Sequence, residues 1–125
     1  MLDKVLRPIA PAGLEGVALA HSGNQTEKAV MTAMSEREGK DKVVCFSGAK
    51  HGVNSYTWTE AGLKALGWTQ LAYPTDEMGE EYALDELESA LRAGDVAAVV
   101  IEPMNSTTGH TCSPDFASEL STLAH

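Results

Sequence analysis

Val96-Ala97-Ala98-Val99-Val100-Ile101, "VAAVVI", contains no polar residue over six positions. A half-solvated strand alternates apolar with polar residues. An unbroken apolar run of this length is instead the pattern of a parallel strand covered on both faces. Each fully buried Val or Ile in such a strand contributes roughly 1.5–3 kcal/mol. Outward from this run, other strand-like stretches alternate with helical ones. Lys42–Gly48, "KVVCFSG", is β-branched and aromatic and ends on glycine. Trp68–Pro74, "WTQLAYP", reads as a strand stopped by its proline, and Glu15–Ala20, "EGVALA", as a short apolar strand.

Between these strands, residues 24–38 carry Ala29, Val30, Ala33 and Met34 on one helical face, with Gly39 as the expected stop. Thr59–Leu66 reads as a short helix. Leu84, Leu87 and Leu91 mark another, stopping at Gly94. Ser113 and Pro114 form an N-cap and first-turn pair for a helix with Phe116, Leu120 and Leu123 on one side. Leu2–Ile9 reads as the tail of a helix closed by Pro8 and Pro11, and the acidic segment Asp76–Glu81 as a solvated loop. Strands alternating with helices predict an α/β fold with a mostly parallel sheet, in one domain over residues 1–125. A sheet of this kind normally continues past its last helix, so the expectation is a chain cut short at His125.

Composition narrows the function. A formal charge of −9 disfavours a polyanion partner and sets nucleic acid aside. No apolar run reaches the roughly 18 residues that span a bilayer, and no signal-peptide pattern opens the chain, so no membrane partner is expected. Two cysteines, Cys45 and Cys112, lack metal or disulfide spacing and point to a reduced, cytoplasmic setting. Cys45 reads as a small core residue.

Three stretches carry possible chemistry. In "HSGNQTEKAV", residues 21–30, Ser22-Gly23-Asn24 form a small-residue turn before a helix. Gly23 permits a tight turn that lets the amides of Gly23, Asn24 and Gln25 face one anion at the positive end of the helix dipole. Asn24 and Glu27 approximate a capping box, and a turn that is merely capped is the competing reading. The turn matches neither a dinucleotide fingerprint nor a P-loop. In "FSGAKHGVNS", residues 46–55, a strand delivers Lys50, His51 and Gly52 to the carboxyl edge of the sheet, where open α/β sheets bind ligands. In "VVIEPMNSTTGH", residues 99–110, Glu102 leaves a buried strand directly and Pro103 ends it.

In this order and spacing, "SGNQTEKAVMTA", "VVCFSGAKHG" and "AAVVIEPMNSTTG" resemble the class III, fold type I, pyridoxal-phosphate-dependent aminotransferases, over essentially the whole chain. The resemblance implies the amino-proximal half of that family's large domain. It implies pyridoxal 5′-phosphate as cofactor, with the phosphate on the Ser22-Gly23-Asn24 turn, His51-Gly52 against the ring and Glu102 near it. Lys50 stands where the family has an aromatic ring, Lys28 where it has Glu, and Thr107 where the 4-aminobutyrate enzymes have Glu. The complete protein is expected to be a homodimer that passes an amino group from an amine or amino acid to a keto acid. The lysine and aspartate that this chemistry requires lie, in the family, beyond residue 125, so the isolated chain is expected not to transaminate. Two alternatives remain: an intramolecular amino shift, as in related aminomutases, and a non-catalytic module that binds phosphate-bearing ligands.

Overall fold

A computed structural model describes residues 2–10, 13–14, 16–52 and 56–125. In chain order the elements are α1 (Leu2–Leu6), a 3-10 turn at Arg7–Ile9, α2 (Gln25–Glu36), β1 (Lys42–Phe46), a 3-10 turn at Tyr56–Trp58 and α3 (Glu60–Leu66). These are followed by β2 (Thr69–Leu71), α4 (Glu77–Leu91), β3 (Val96–Val100) and α5 (Pro114–Ala124). The three strands form one sheet in the order β2-β1-β3, and both pairings are parallel. The expected α/β class with helices flanking a parallel sheet is therefore the observed one.

The two-residue period of a strand divides β1 between two cores. Val44 and Phe46 pack with Leu71, Tyr73, Ala83 and Leu87 of the α4 side and with Phe116 and Leu120 of α5. Val43 and Cys45 point the other way, to Val30 of α2, Leu63 of α3 and Trp68. β1 is covered on both faces, and its residues Val43–Phe46 are at most 2% exposed. β3 is packed on both faces as expected, with Val96 and Val99 against one core and Ala98 and Val100 against the other. It lies at the sheet edge, so only Val96 and Ala97 are buried while Ala98–Val100 are half-buried. An apolar run identifies a strand meant for burial but not which neighbour covers it.

Other expectations are corrected in the same way. Residues 16–20 form no strand; they are irregular, and Leu19 is 76% exposed. Both edges of β1 are already taken by β2 and β3, so this small-residue stretch finds no ladder there. Glu15, Pro11 and residues 53–55 lie outside the described residues. β2 is shorter than the stretch 68–74, because only Thr69–Leu71 pair with β1. The acidic segment 76–81 is not a loop but the start of α4. The Asp76 carboxylate accepts the Gly79 amide at 2.7 Å, and Glu77 and Glu80 sit in the first turn, where the helix dipole favours negative charge. Glu80 also accepts from the Ser113 amide and hydroxyl at 2.6 and 2.7 Å, tying α4 to the cap of α5. α2 ends at Glu36 with Arg37 extended, so Gly39 (φ 76°) serves the following turn rather than the helix stop. On α5, Phe116 and Leu120 are buried but Leu123 is exposed.

No helix among the described residues is long and apolar enough to cross a membrane.

Candidate functional site

β1 and β3 run parallel as neighbours, so the segments leaving them emerge at the same sheet edge. Residues 47–52 follow β1 there, and residues 101–111 follow β3. The start of α2 reaches this edge too. A Cβ placed on Gly23 would stand 3.1 Å from the Gly52 nitrogen and 3.6 Å from the His51 carbonyl carbon. A Cβ on Gly52, whose φ is 117°, would overlap the Asn24 side chain and stand 2.7 Å from the Asn24 Cα. Two backbones meet here at a separation that only paired glycines permit. The Gly23-Asn24 turn and the His51-Gly52 loop, distant in sequence, are in direct contact.

The turn is solvent-open: Ser22, Gly23 and Asn24 are all exposed. The Ser22 carbonyl accepts the Gln25 amide at 3.2 Å, and the Gly23 carbonyl accepts the Thr26 amide at 2.9 Å. Gln25 therefore spends its amide within the turn, which corrects the expected set of three donors to Gly23 and Asn24. No hydrogen bond among the described residues engages those two amides. The capping box does not form either. Asn24 has helical dihedrals and its side chain caps nothing, while Glu27 accepts the Thr57 hydroxyl at 2.6 Å.

His51 is 5% exposed, its ring lies 4.8 Å from that of Trp58, and its Nε2 has no hydrogen-bond partner among the described residues. Burial pushes the imidazole below its ordinary pKa, against the upward pull of the Glu102 charge. Glu102 is half-buried. Its Oε2 accepts the Ser106 amide and hydroxyl, each at 2.9 Å. Partial burial raises its pKa, but the two Ser106 donors, the Lys50 amide and nearby His51 outweigh this and hold it below the usual carboxylate value. Glu102 thus joins the Lys50–His51 segment, and the Lys50 side chain is exposed. All the expected site residues gather at one corner. An apolar cavity of 310 Å³ lies along β3 between Leu14, Val99, Ile101 and Leu120, and none of those site residues lines it.

Both groups make the protein lose stability in acid. For His51 the folded-state pKa is depressed, so the stabilisation is complete above the ordinary value of about 6.5 and is lost as pH falls from there through the folded value. For Glu102 the loss begins below about 4.5 by the same logic. Urea midpoints should be level near pH 8, fall once below pH 6.5 and fall again below 4.5. Glu102→Gln should remove its part of the second fall.

Cys45 is a core residue as expected, 2% exposed, with burial pushing its thiol up to about 11. Two further side chains shape the corner and were not anticipated. The Tyr73 hydroxyl lies 3.0 Å from both the Glu102 and the Pro103 carbonyl and donates to this pair. Asn105 is fully buried. Its signal was readable, because Asn before a Ser-Thr-Thr-Gly run is the start of an Asx turn.

No family model matches the chain. Over an alignment 101 positions long that covers 74% of the chain, it is 30% identical to proteins described as glutamate-1-semialdehyde 2,1-aminomutase in Saccharolobus islandicus strains L.S.2.15 / Lassen #1, M.14.25 / Kamchatka #1 and M.16.27. The aligned part covers 24% of each of them. The chain thus spans about a quarter of the length of the curated relatives it matches.

Proposed function

We propose that the Gly23-Asn24, His51-Gly52 and Glu102 corner holds the phosphate-bearing end of pyridoxal 5′-phosphate, within a longer protein that moves an amino group. The observation that carries this reading is the glycine-to-glycine contact between the α2 turn and the loop after β1. It sets two amides beside a buried histidine, and neither amide nor the histidine Nε2 has a hydrogen-bond partner among the described residues. The residues present fit the group's anionic end, because exposed backbone donors with no partner among the described residues stand at the positive end of α2. They fit the ring less closely, since Lys50 stands where a stacking aromatic would be.

In this reading Gly23 and Asn24 bind the phosphate, and α2 contributes roughly 0.3–1 kcal/mol through its dipole. His51, kept neutral by burial, offers Nε2 as one hydrogen-bond donor or acceptor to the ligand. Glu102, fixed by Ser106, keeps a negative charge beside that imidazole and orients it. Bound pyridoxal phosphate supplies the electron sink that amino-group chemistry needs. The attachment lysine and the aspartate that keeps the pyridine nitrogen protonated come from the remainder of the longer protein. So do the homodimer contacts and the sites for amine and keto-acid substrates.

Two reactions share this site: transfer between an amino donor and a keto acid, and an intramolecular amino shift. The similarity to glutamate-1-semialdehyde 2,1-aminomutases favours the shift. Incubating the longer protein with glutamate-1-semialdehyde alone, and separately with an amino acid and a keto acid, separates them. Product from the single substrate supports the shift, and dependence on the keto acid supports transfer. Inactivity of the cofactor-loaded protein in both assays would remove the enzymatic reading.

A further inference from the structure

Asn105 has no exposed surface, and every polar atom of its side chain is used. Nδ2 donates to the Ser47 carbonyl at 3.0 Å, across 58 positions of sequence. Oδ1 accepts the Thr107 and Thr108 amides, each at 3.0 Å, folding residues 105–108 into a tight turn. The backbone of Asn105 closes the same turn, accepting from the Gly109 amide and donating to the His110 carbonyl, both at 2.8 Å. Thr107 adds a second stitch, its hydroxyl donating to the Gly48 carbonyl at 2.6 Å. Gly48 (φ 72°) lies so close that a Cβ there would stand 3.1 Å from Nδ2 and 3.2 Å from Oδ1.

The two segments joined in this way are the one carrying Lys50 and His51 and the one carrying Glu102. Ser106, the donor to Glu102, is the neighbour of Asn105 inside the turn. One amide therefore fixes the Glu102 partner and the loop that bears His51. Such a buried polar link costs stability when its atoms lack partners, and here both Nδ2 and Oδ1 are engaged. A core needing only packing would be served by an apolar residue at this position, without the demand for three hydrogen bonds.

We propose that Asn105 is a positioning residue that sets the placement of Glu102 relative to His51 by tying the loop after β3 to the loop after β1. Its bearing on catalysis rests on the cofactor site proposed above. The test contains no ligand, so the two can fail separately. Glu102 is the charged group that faces His51 among the described residues, and its anion raises the imidazole midpoint.

The His51 midpoint is read by NMR titration of the imidazole in the wild-type chain, Glu102→Gln, Asn105→Ala and the double variant. In the wild-type background Glu102→Gln should lower the midpoint, because it removes the anion that favours the imidazolium. With Asn105→Ala present the same change should shrink to less than about a third of that. A residue that merely supports the fold would leave the Glu102 effect intact in the folded variant, and that result overturns the proposal. So does the absence of any Glu102 effect in the wild-type background. If Asn105→Ala does not fold, Thr107→Val replaces it, because Thr107 is exposed and loses only the stitch to Gly48. The Glu102 effect should shrink there by about half, and an undiminished effect again overturns the proposal.

Discussion

Gly52→Ala is expected to lower the affinity of the chain for pyridoxal 5′-phosphate by tenfold or more and to cost about 1–3 kcal/mol of stability. Gly52 has φ 117°, outside the range that side-chain-bearing residues adopt readily. The added methyl would also press on the backbone of Asn24, 2.7 Å from its Cα and 3.0 Å from its nitrogen, where no rotamer change gives relief. The turn and the loop must part, and the Gly23 and Asn24 amides move away from His51 with them. Gly39→Ala is the matched control. Gly39 also has a positive φ (76°), but a Cβ there meets nothing within 4 Å. It should lose stability without losing affinity. Thermal unfolding and a fluorescence titration on both variants check this, and wild-type affinity in Gly52→Ala would show that the contact does not shape the site.

The largest loss of stability is expected from Phe46→Ala, about 3–5 kcal/mol. A domain of this size has roughly 5–15 kcal/mol in total, so the change removes a large share of its stability. Phe46 is 1% exposed and closes the α4/α5 core, meeting Tyr73 and Phe116 edge to face with centroids 6.3 Å away in each case. It is also the last residue of β1, so its loss frees the segment that leads to Lys50 and His51. Tyr73, which holds the Glu102 carbonyl, loses its ring partner at the same time. Urea unfolding followed by far-UV circular dichroism measures the effect. A loss under about 1 kcal/mol would mean that the cavity collapses and that this core is far more plastic than its packing indicates.

How much of this was legible in the sequence varied with the physics involved. Continuous β-branched runs announced β1 and β3, because burial on two faces leaves no room for polar residues. The same runs did not say which strand would be central, since that depends on partners elsewhere in the chain. Residues 16–20 have a strand's composition but pair with none of the three strands, and a strand cannot exist without a ladder. The acid-rich start of α4 is solvated as expected but helical rather than a loop, because position along the chain outweighs charge. Asp76 is an N-cap, and Glu77 and Glu80 complement the dipole of the helix it opens. At the candidate site, the turn, the His51-Gly52 loop and Glu102 were all visible as motifs. The family resemblance implied their convergence, but not the contacts that produce it, between Gly23 and Gly52 and from Asn105 to Ser47, which tertiary packing alone decides.

The central claim is that the Gly23 and Asn24 amides at the start of α2 form an anion site next to His51. The most direct measurement is a ¹H–¹⁵N NMR titration of the chain, first with pyridoxal 5′-phosphate and then with inorganic phosphate as competitor. The predicted result is saturable movement of the Gly23 and Asn24 amides together with Gly52 and His51, reversed by excess phosphate. Saturable binding that leaves those amides unmoved, or no binding of either ligand, would contradict the account.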